Sequence, residues 1–204
     1  MDTTTMAAIA VAYRQTHERI LTLVAGLGDD QLTWRPAAGG HSIAWNLWHL
    51  ARWADALQEA LPRMTPALQD RLGAREQVWL AERRAARWGL SCAPLGVDAT
   101  GTYMEDAQAA ALVWPAKEVL LAYVRRAVAA ADEAVRAVDE PQAGELDATQ
   151  GDFTAAYYGP AAGAGPATAT VASAILEHLV HENRHLGEME GLCGQQGQRG
   201  SATV

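Results

Sequence analysis

The sequence predicts an all-α fold, a four-helix bundle with a long insert between its second and third helices. Three observations carry that expectation. Apolar residues recur at three- and four-residue steps in four separate blocks. No alternating strand pattern of useful length appears, and no internal repeat. Capping residues, glycine and proline fall at the ends of the blocks. At 204 residues, half of them hydrophobic, the chain has the size of one domain and can bury a core without disulfide or metal staples. The domain is expected over 1–194, and 195–204, poor in core-forming residues, as a mobile tail.

The first block covers 5–25, with Ile9, Tyr13, Ile20, Leu21 and Val24 on its apolar side, and stops at Gly26 and Gly28. Residues 31–40, broken by Pro36 and a glycine pair, read as a loop. Ser42 suits the N-cap of the second helix. Ile43, Leu47, Leu50, Ala54, Leu57 and Leu61 then form a bundle seam that Pro62 is expected to end. Within the insert, 79–88 predicts a short helix, and Thr102 with Glu105 reads as a capping box opening another through Leu112. The third long helix starts at Pro115 and runs to about Val138. Residues 139–166, rich in Gly, Pro and Ala, read as a long loop. The fourth helix opens near Thr168 or Thr170 and continues through Val171, Ile175, Leu179, Leu186 and Met189 toward Gly194.

A net charge of −8, with 16 basic residues spread along the chain, argues against a nucleic-acid partner, which needs a basic face. No apolar run approaches the roughly 20 residues that span a bilayer. The N-terminal residues lack a basic segment ahead of an apolar stretch, so no secretory signal is expected. Cys92 and Cys193 stand alone without a CxxC pattern. They fit a reduced, cytoplasmic setting and read as small buried hydrophobes.

The histidines carry the chemistry. Of six, His49 falls on the second long helix and His178, His181 and His185 on the fourth. At about 100° per residue the last three lie within roughly 60° of one another. His181 and His185, one turn apart on one face, can converge on a single cation. His49, between Trp45 and Trp53, is the natural third ligand. Three neutral imidazoles leave coordination positions open, as in catalytic rather than structural zinc sites. His178 reads as lining the cavity or packing in the core. His41 reads as a solvated loop histidine, and His17, with no partner in the sequence, as a surface residue. Trp45 and Trp53 are expected to wall the pocket, and Arg184 to offer a contact for an anionic group.

His181, Glu182 and His185 also match the H-E-x-x-H pattern of zinc peptidases, in which the glutamate is the general base. The continuation fails, since Glu188 and Gly191 stand where a glycine and a third histidine would complete one such group. Glu182 falls near the centre of the apolar seam, which reads as a buried carboxylate near the ligands. A zinc hydrolase is therefore a minor reading.

Three stretches resemble the DinB-like metal-binding four-helix bundles. They are Trp34-Arg35-Pro36, then Ser42 to Asp55 with Trp45, Trp48, His49 and Trp53, and finally Glu177 to Glu188 with its HxxxHxG pattern. The resemblance implies that His49, His181 and His185 bind a divalent metal, commonly zinc or nickel. It also implies a homodimer. Characterised relatives include transferases and isomerases that use a low-molecular-weight thiol. The leading expectation is thus a metal-dependent enzyme acting on a small electrophilic substrate with such a thiol. The alternative is a non-catalytic metal-binding or stress-associated bundle. Two departures, Glu188 where a glutamine often follows and the large insert, bear on substrate and thiol more than on the metal.

Overall fold

In the computed structural model the four periodic blocks become helices of 21, 22, 20 and 25 residues. The structure describes residues 5–36, 39–91, 93–139, 141, 144 and 170–199. Numbered along the described chain, the helices are α1 (Thr5–Ala25), α2 (Asp29–Thr33), α3 (Ile43–Met64), α4 (Pro66–Leu72), α5 (Val78–Ala81), α6 (Arg84–Arg87), α7 (Asp106–Ala111), α8 (Lys117–Arg136) and α9 (Val171–Gln195). The all-α expectation holds. Among the described residues no helix is long and apolar enough to cross a membrane.

Local chemistry explains the long helices. Ser42 Oγ accepts the Trp45 amide at 3.1 Å, starting α3. Thr170 and Ser173 cap α9 reciprocally, at 3.0 and 2.8 Å. Lys117, at the start of α8, sends its Nζ to the carbonyls of Ala25 and Leu27, both at 2.7 Å. A cation thereby satisfies one carbonyl in the last turn of α1 and one just beyond it, and joins two helices. The four long helices close a ring, α1 and α3 each packing on both α8 and α9. Tyr13, Leu47, Leu57, Leu120, Val124 and Ile175 lie fully inside.

Several boundaries differ from the sequence expectation. Pro62 sits inside α3, which runs on to Met64. So close to the helix end, the missing N–H costs at most one turn of bonding, and Thr65 then caps α4 by accepting the Leu68 amide at 3.1 Å. The supposed loop 31–40 overlaps α2, one turn held by the buried Leu32, with Gln31 Oε1 accepting the Gly28 amide. The expected helix 79–88 splits at Arg83, whose φ of 51° no right-handed helix can include. Thr102 opens no helix. Its backbone pairs with Val97, and the N-cap of α7 falls on Glu105 instead, where Gln108 accepts the Glu105 amide. The third long helix starts two residues after Pro115, and the fourth passes Gly194 to Gln195. Cys193 is buried. Cys92, most of 139–166 and the last residues of the expected tail lie outside the described residues.

The insert lies over α3. Eighteen residues of α3 are buried, among them five polar ones at three-residue steps, Asn46, His49, Arg52, Asp55 and Gln58. Asp55 receives the amides of Val78 and Trp79, both at 2.8 Å, with Gln58, Arg52 and the Tyr123 hydroxyl completing its shell. One carboxylate thus fastens the start of α5 to both α3 and α8.

Candidate metal centre

Three imidazoles meet where α3 and α9 face each other. His181 Nε2 lies 3.0 Å from His49 Nε2 and 3.2 Å from His185 Nε2. Among the described residues, His49, His181 and His185 form the group whose donor atoms could hold one metal ion. The separations fit that use, because nitrogen ligands at about 2.0–2.1 Å around a tetrahedral zinc stand roughly 3.3 Å apart.

The outward nitrogens show which protons these rings carry. His49 Nδ1 lies within hydrogen-bond distance of the Thr100 carbonyl, which can only accept. His185 Nδ1 lies 2.7 Å from Asn46 Oδ1 and 2.9 Å from Glu188 Oε2, again two acceptors. The Asn46 amide is itself oriented, since its Nδ2 donates to the Ser42 carbonyl at 3.0 Å. Both rings therefore keep their proton on Nδ1 and turn the Nε2 lone pair inward. Burial, then the neighbouring His185, pushes His49 down to about 3. Burial and the two partner rings push His181 well below the usual histidine range. At neutral pH both are uncharged donors, so protons compete weakly for the site.

A pocket of about 520 Å³ opens above the rings. His41, Trp45 and Trp53 form one wall, Gly101 to Met104 of the insert a second, and Glu177, Val180 and Arg184 of α9 a third. Trp45 is sandwiched between His41 and His49, with ring centroids 3.6 and 4.6 Å away. His41 is thus a half-buried pocket residue, not a solvated one, because a flat aromatic face lies within reach at i+4 on the next turn.

The other expected positions divide. Trp45, Trp53 and Arg184 stand on the pocket wall, whereas His178 and Glu182 do not. His178 is fully buried with its ring 6.0 Å from that of Trp53. Glu182, one residue from a candidate ligand, turns about 100° away into the bundle interior, where its Oε2 is 2.9 Å from His17 Nε2. His17 is not a surface residue. It is 2 % exposed, and its Nδ1 meets Asp132 at 2.7 Å. Burial alone would discharge the ring, but Glu182 and Asp132 outweigh it and raise His17 to about 10. Sequence reasoning missed His17, His41, the role of Asn46 and the Thr100 carbonyl. The run of polar residues at every third position of an apolar helix was the available signal for Asn46.

The comparisons with known proteins agree with this architecture. The crystal structure of a conserved protein from Enterococcus faecalis superposes with a TM-score of 0.66, covering 93 % of this chain and 95 % of that one at 17 % identity. At that identity the likeness speaks for the fold alone. No curated protein matches the chain. The family model of the DinB superfamily matches residues 12–189, and the chain belongs to that superfamily.

Proposed function

We propose that this protein is a divalent-metal-dependent enzyme, with zinc or nickel held by His49, His181 and His185 and a small electrophile as substrate. The observation that carries the reading is the meeting of three Nε2 atoms at one point, two of their rings locked in the ligating tautomer by oxygen acceptors. Three protein ligands and a pocket above them are what a catalytic site keeps, whereas a structural zinc site closes with four. The chemistry such an ion supplies is Lewis acidity toward a small donor, and a low-molecular-weight thiol fits the family and the pocket's size.

The chain's own residues prepare that pocket. Trp45 and Trp53 exclude water on one side and strengthen every charge interaction inside. Arg184, on the opposite wall, is an exposed cation placed to meet an anionic group. Glu182 takes no part. A peptidase needs that carboxylate at the ion, and here it faces His17 in the bundle interior, so the H-E-x-x-H hydrolase reading lacks its base.

Elemental analysis of protein purified without chelators tests the reading, followed by zinc and nickel titration of wild type and His49→Ala. The expected result is one divalent ion per chain in wild type and none retained by the variant. Full metal content in His49→Ala would overturn the three-histidine site. Metal-loaded protein is then assayed with a panel of thiols and model electrophiles. Turnover that vanishes in His49→Ala supports the enzyme, and metal uptake without turnover leaves the non-catalytic bundle as the better description.

A further inference from the structure

The insert appears in the sequence as an elaboration with no evident purpose, yet one of its backbone atoms completes the metal centre. His49 can present Nε2 to the site only while Nδ1 keeps its proton, and the acceptor that holds it there is the Thr100 carbonyl. A loop carbonyl can do this only if the loop cannot drift. The two residues before it, Asp98 and Ala99, are both left-handed, with φ of 51° and 52°. Such a pair persists only where its surroundings over-determine it.

Part of that over-determination comes from the loop's own bonds, the Thr100 amide and hydroxyl both donating to the Val97 carbonyl, at 3.0 and 2.7 Å. The tie to α3 comes from Arg52, one turn along from His49. Its Nε donates to the Ala99 carbonyl at 2.9 Å, and its Nη2 donates to the Asp98 carbonyl at 3.1 Å and to Gln77 Oε1 at 2.8 Å. Arg52 is 1 % exposed, so these bonds are unscreened by water. Beyond Thr100 the chain turns at Gly101 (φ 90°), where an added Cβ would stand 2.8 Å from the Trp45 ring and 3.2 Å from His49 Nδ1. The loop is pinned on one side and flush with the ring on the other. The contacts form a closed circuit, from His49 through Thr100 and Ala99 to Arg52 and back along α3.

We infer that Arg52 is a positioning residue for the metal centre, clamping the insert so that the Thr100 carbonyl sets the tautomer and orientation of His49. The inference rests on the three-histidine reading. It makes the insert part of the site, and by linkage a bound ion must stabilise the clamped loop as much as the clamp favours the ion.

The test compares Arg52→Gln, Gly101→Ala and Arg75→Gln in the full chain. Arg75 belongs to the same polar network, through Gln58 and the Ala130 carbonyl, but has no hydrogen bond to the 97–104 loop. Zinc affinity is read by competition with a chromophoric chelator on protein shown to be folded. Arg52→Gln and Gly101→Ala should each weaken zinc by about 10–100-fold, with Arg75→Gln within about twofold of wild type. Arg52→Lys should fail to restore binding, because an ammonium cannot span both carbonyls as the guanidinium fork does. Wild-type affinity in folded Arg52→Gln overturns the clamp, and Arg52→Lys, which keeps a cation opposite the buried Asp55, decides in the same way if Arg52→Gln does not fold. If the wild type takes up no zinc, the metal reading itself fails. The clamp is then judged by imidazole nitrogen NMR of the metal-free protein: the His49 Nδ1–H form should dominate in wild type and be lost in Arg52→Gln, and an unchanged tautomer refutes it.

Discussion

Two buried histidine sites share helix α9, and they are chemical opposites. At positions 181 and 185 the rings meet His49, with the Thr100 carbonyl behind His49 and the Asn46 amide oxygen and Glu188 carboxylate behind His185. At position 182 the helix turns a carboxylate toward His17, whose other nitrogen meets a second carboxylate, Asp132. His17 and His49 are almost equally buried, at 2 % and 5 % exposure. One is raised to about 10 and the other lowered to about 3. Burial therefore does not decide the state of a histidine; its partners do. Two carboxylates make an imidazolium that cannot ligate a cation. A neutral acceptor on one nitrogen makes an imidazole that can.

The largest expected effect separates the two sites completely. His17→Ala leaves the Glu182 carboxylate buried without its counter-ion, and breaking such a pair costs about 3–5 kcal/mol. Denaturant unfolding of the metal-free protein should show that loss, while zinc content stays at the wild-type level. His49→Ala should empty the site, with a smaller loss of metal-free stability, that of a buried ring removed from beside the Thr100 carbonyl. If both variants lose metal and stability together, the two clusters are one unit and the contrast is void.

A second separation comes from pH. His17 is raised from 6.5 to about 10 on folding. Its contribution is therefore complete below pH 6.5 and declines as the pH climbs toward 10. Wild type should outlast His17→Gln in thermal melts most clearly at pH 6, and the gap should close toward pH 10. A gap that is constant across this range would mean that the ring is neutral.

How much of this was legible in the sequence follows from the range of each signal. The ligands His181 and His185 announce themselves by helical spacing, and His49 by its place on an apolar helix beside two tryptophans. The His17 site does not, because its partners lie 115 and 165 positions away and only the packing of α1 on α8 and α9 brings them together. The Thr100 carbonyl is invisible for a different reason: every residue has one, and only the left-handed turn before it and the bare Gly101 after it give this one its place. Helix ends failed where a residue was read by type alone. Pro62 is a breaker in mid-helix, yet near a helix end it breaks little.

Behind His185 the neutral acceptor is the Asn46 amide oxygen, at 2.7 Å. Asn46→Leu removes the oriented acceptor behind His185, and loss of such a partner weakens metal binding by about 10–100-fold. Isothermal titration with zinc checks it. Unchanged affinity would mean that Glu188 alone suffices to hold the His185 proton on Nδ1.

The smallest effect belongs to Glu188 itself. Its side chain is 47 % exposed, and the hydrogen bond from His185 holds its carboxyl below the usual glutamate range. Solvent screens that charge, and an amide oxygen can accept the same Nδ1–H. Glu188→Gln should therefore shift zinc affinity by less than the Asn46 variant does, and leave the metal-free melting temperature unchanged. The comparison of the two variants isolates what matters behind a ligating imidazole. If Glu188→Gln instead weakens zinc as much as Asn46→Leu, the negative charge rather than the acceptor geometry supports the site. His185 would then resemble His17 more than His49, and the boundary between the two histidine environments would run through the metal centre rather than around it.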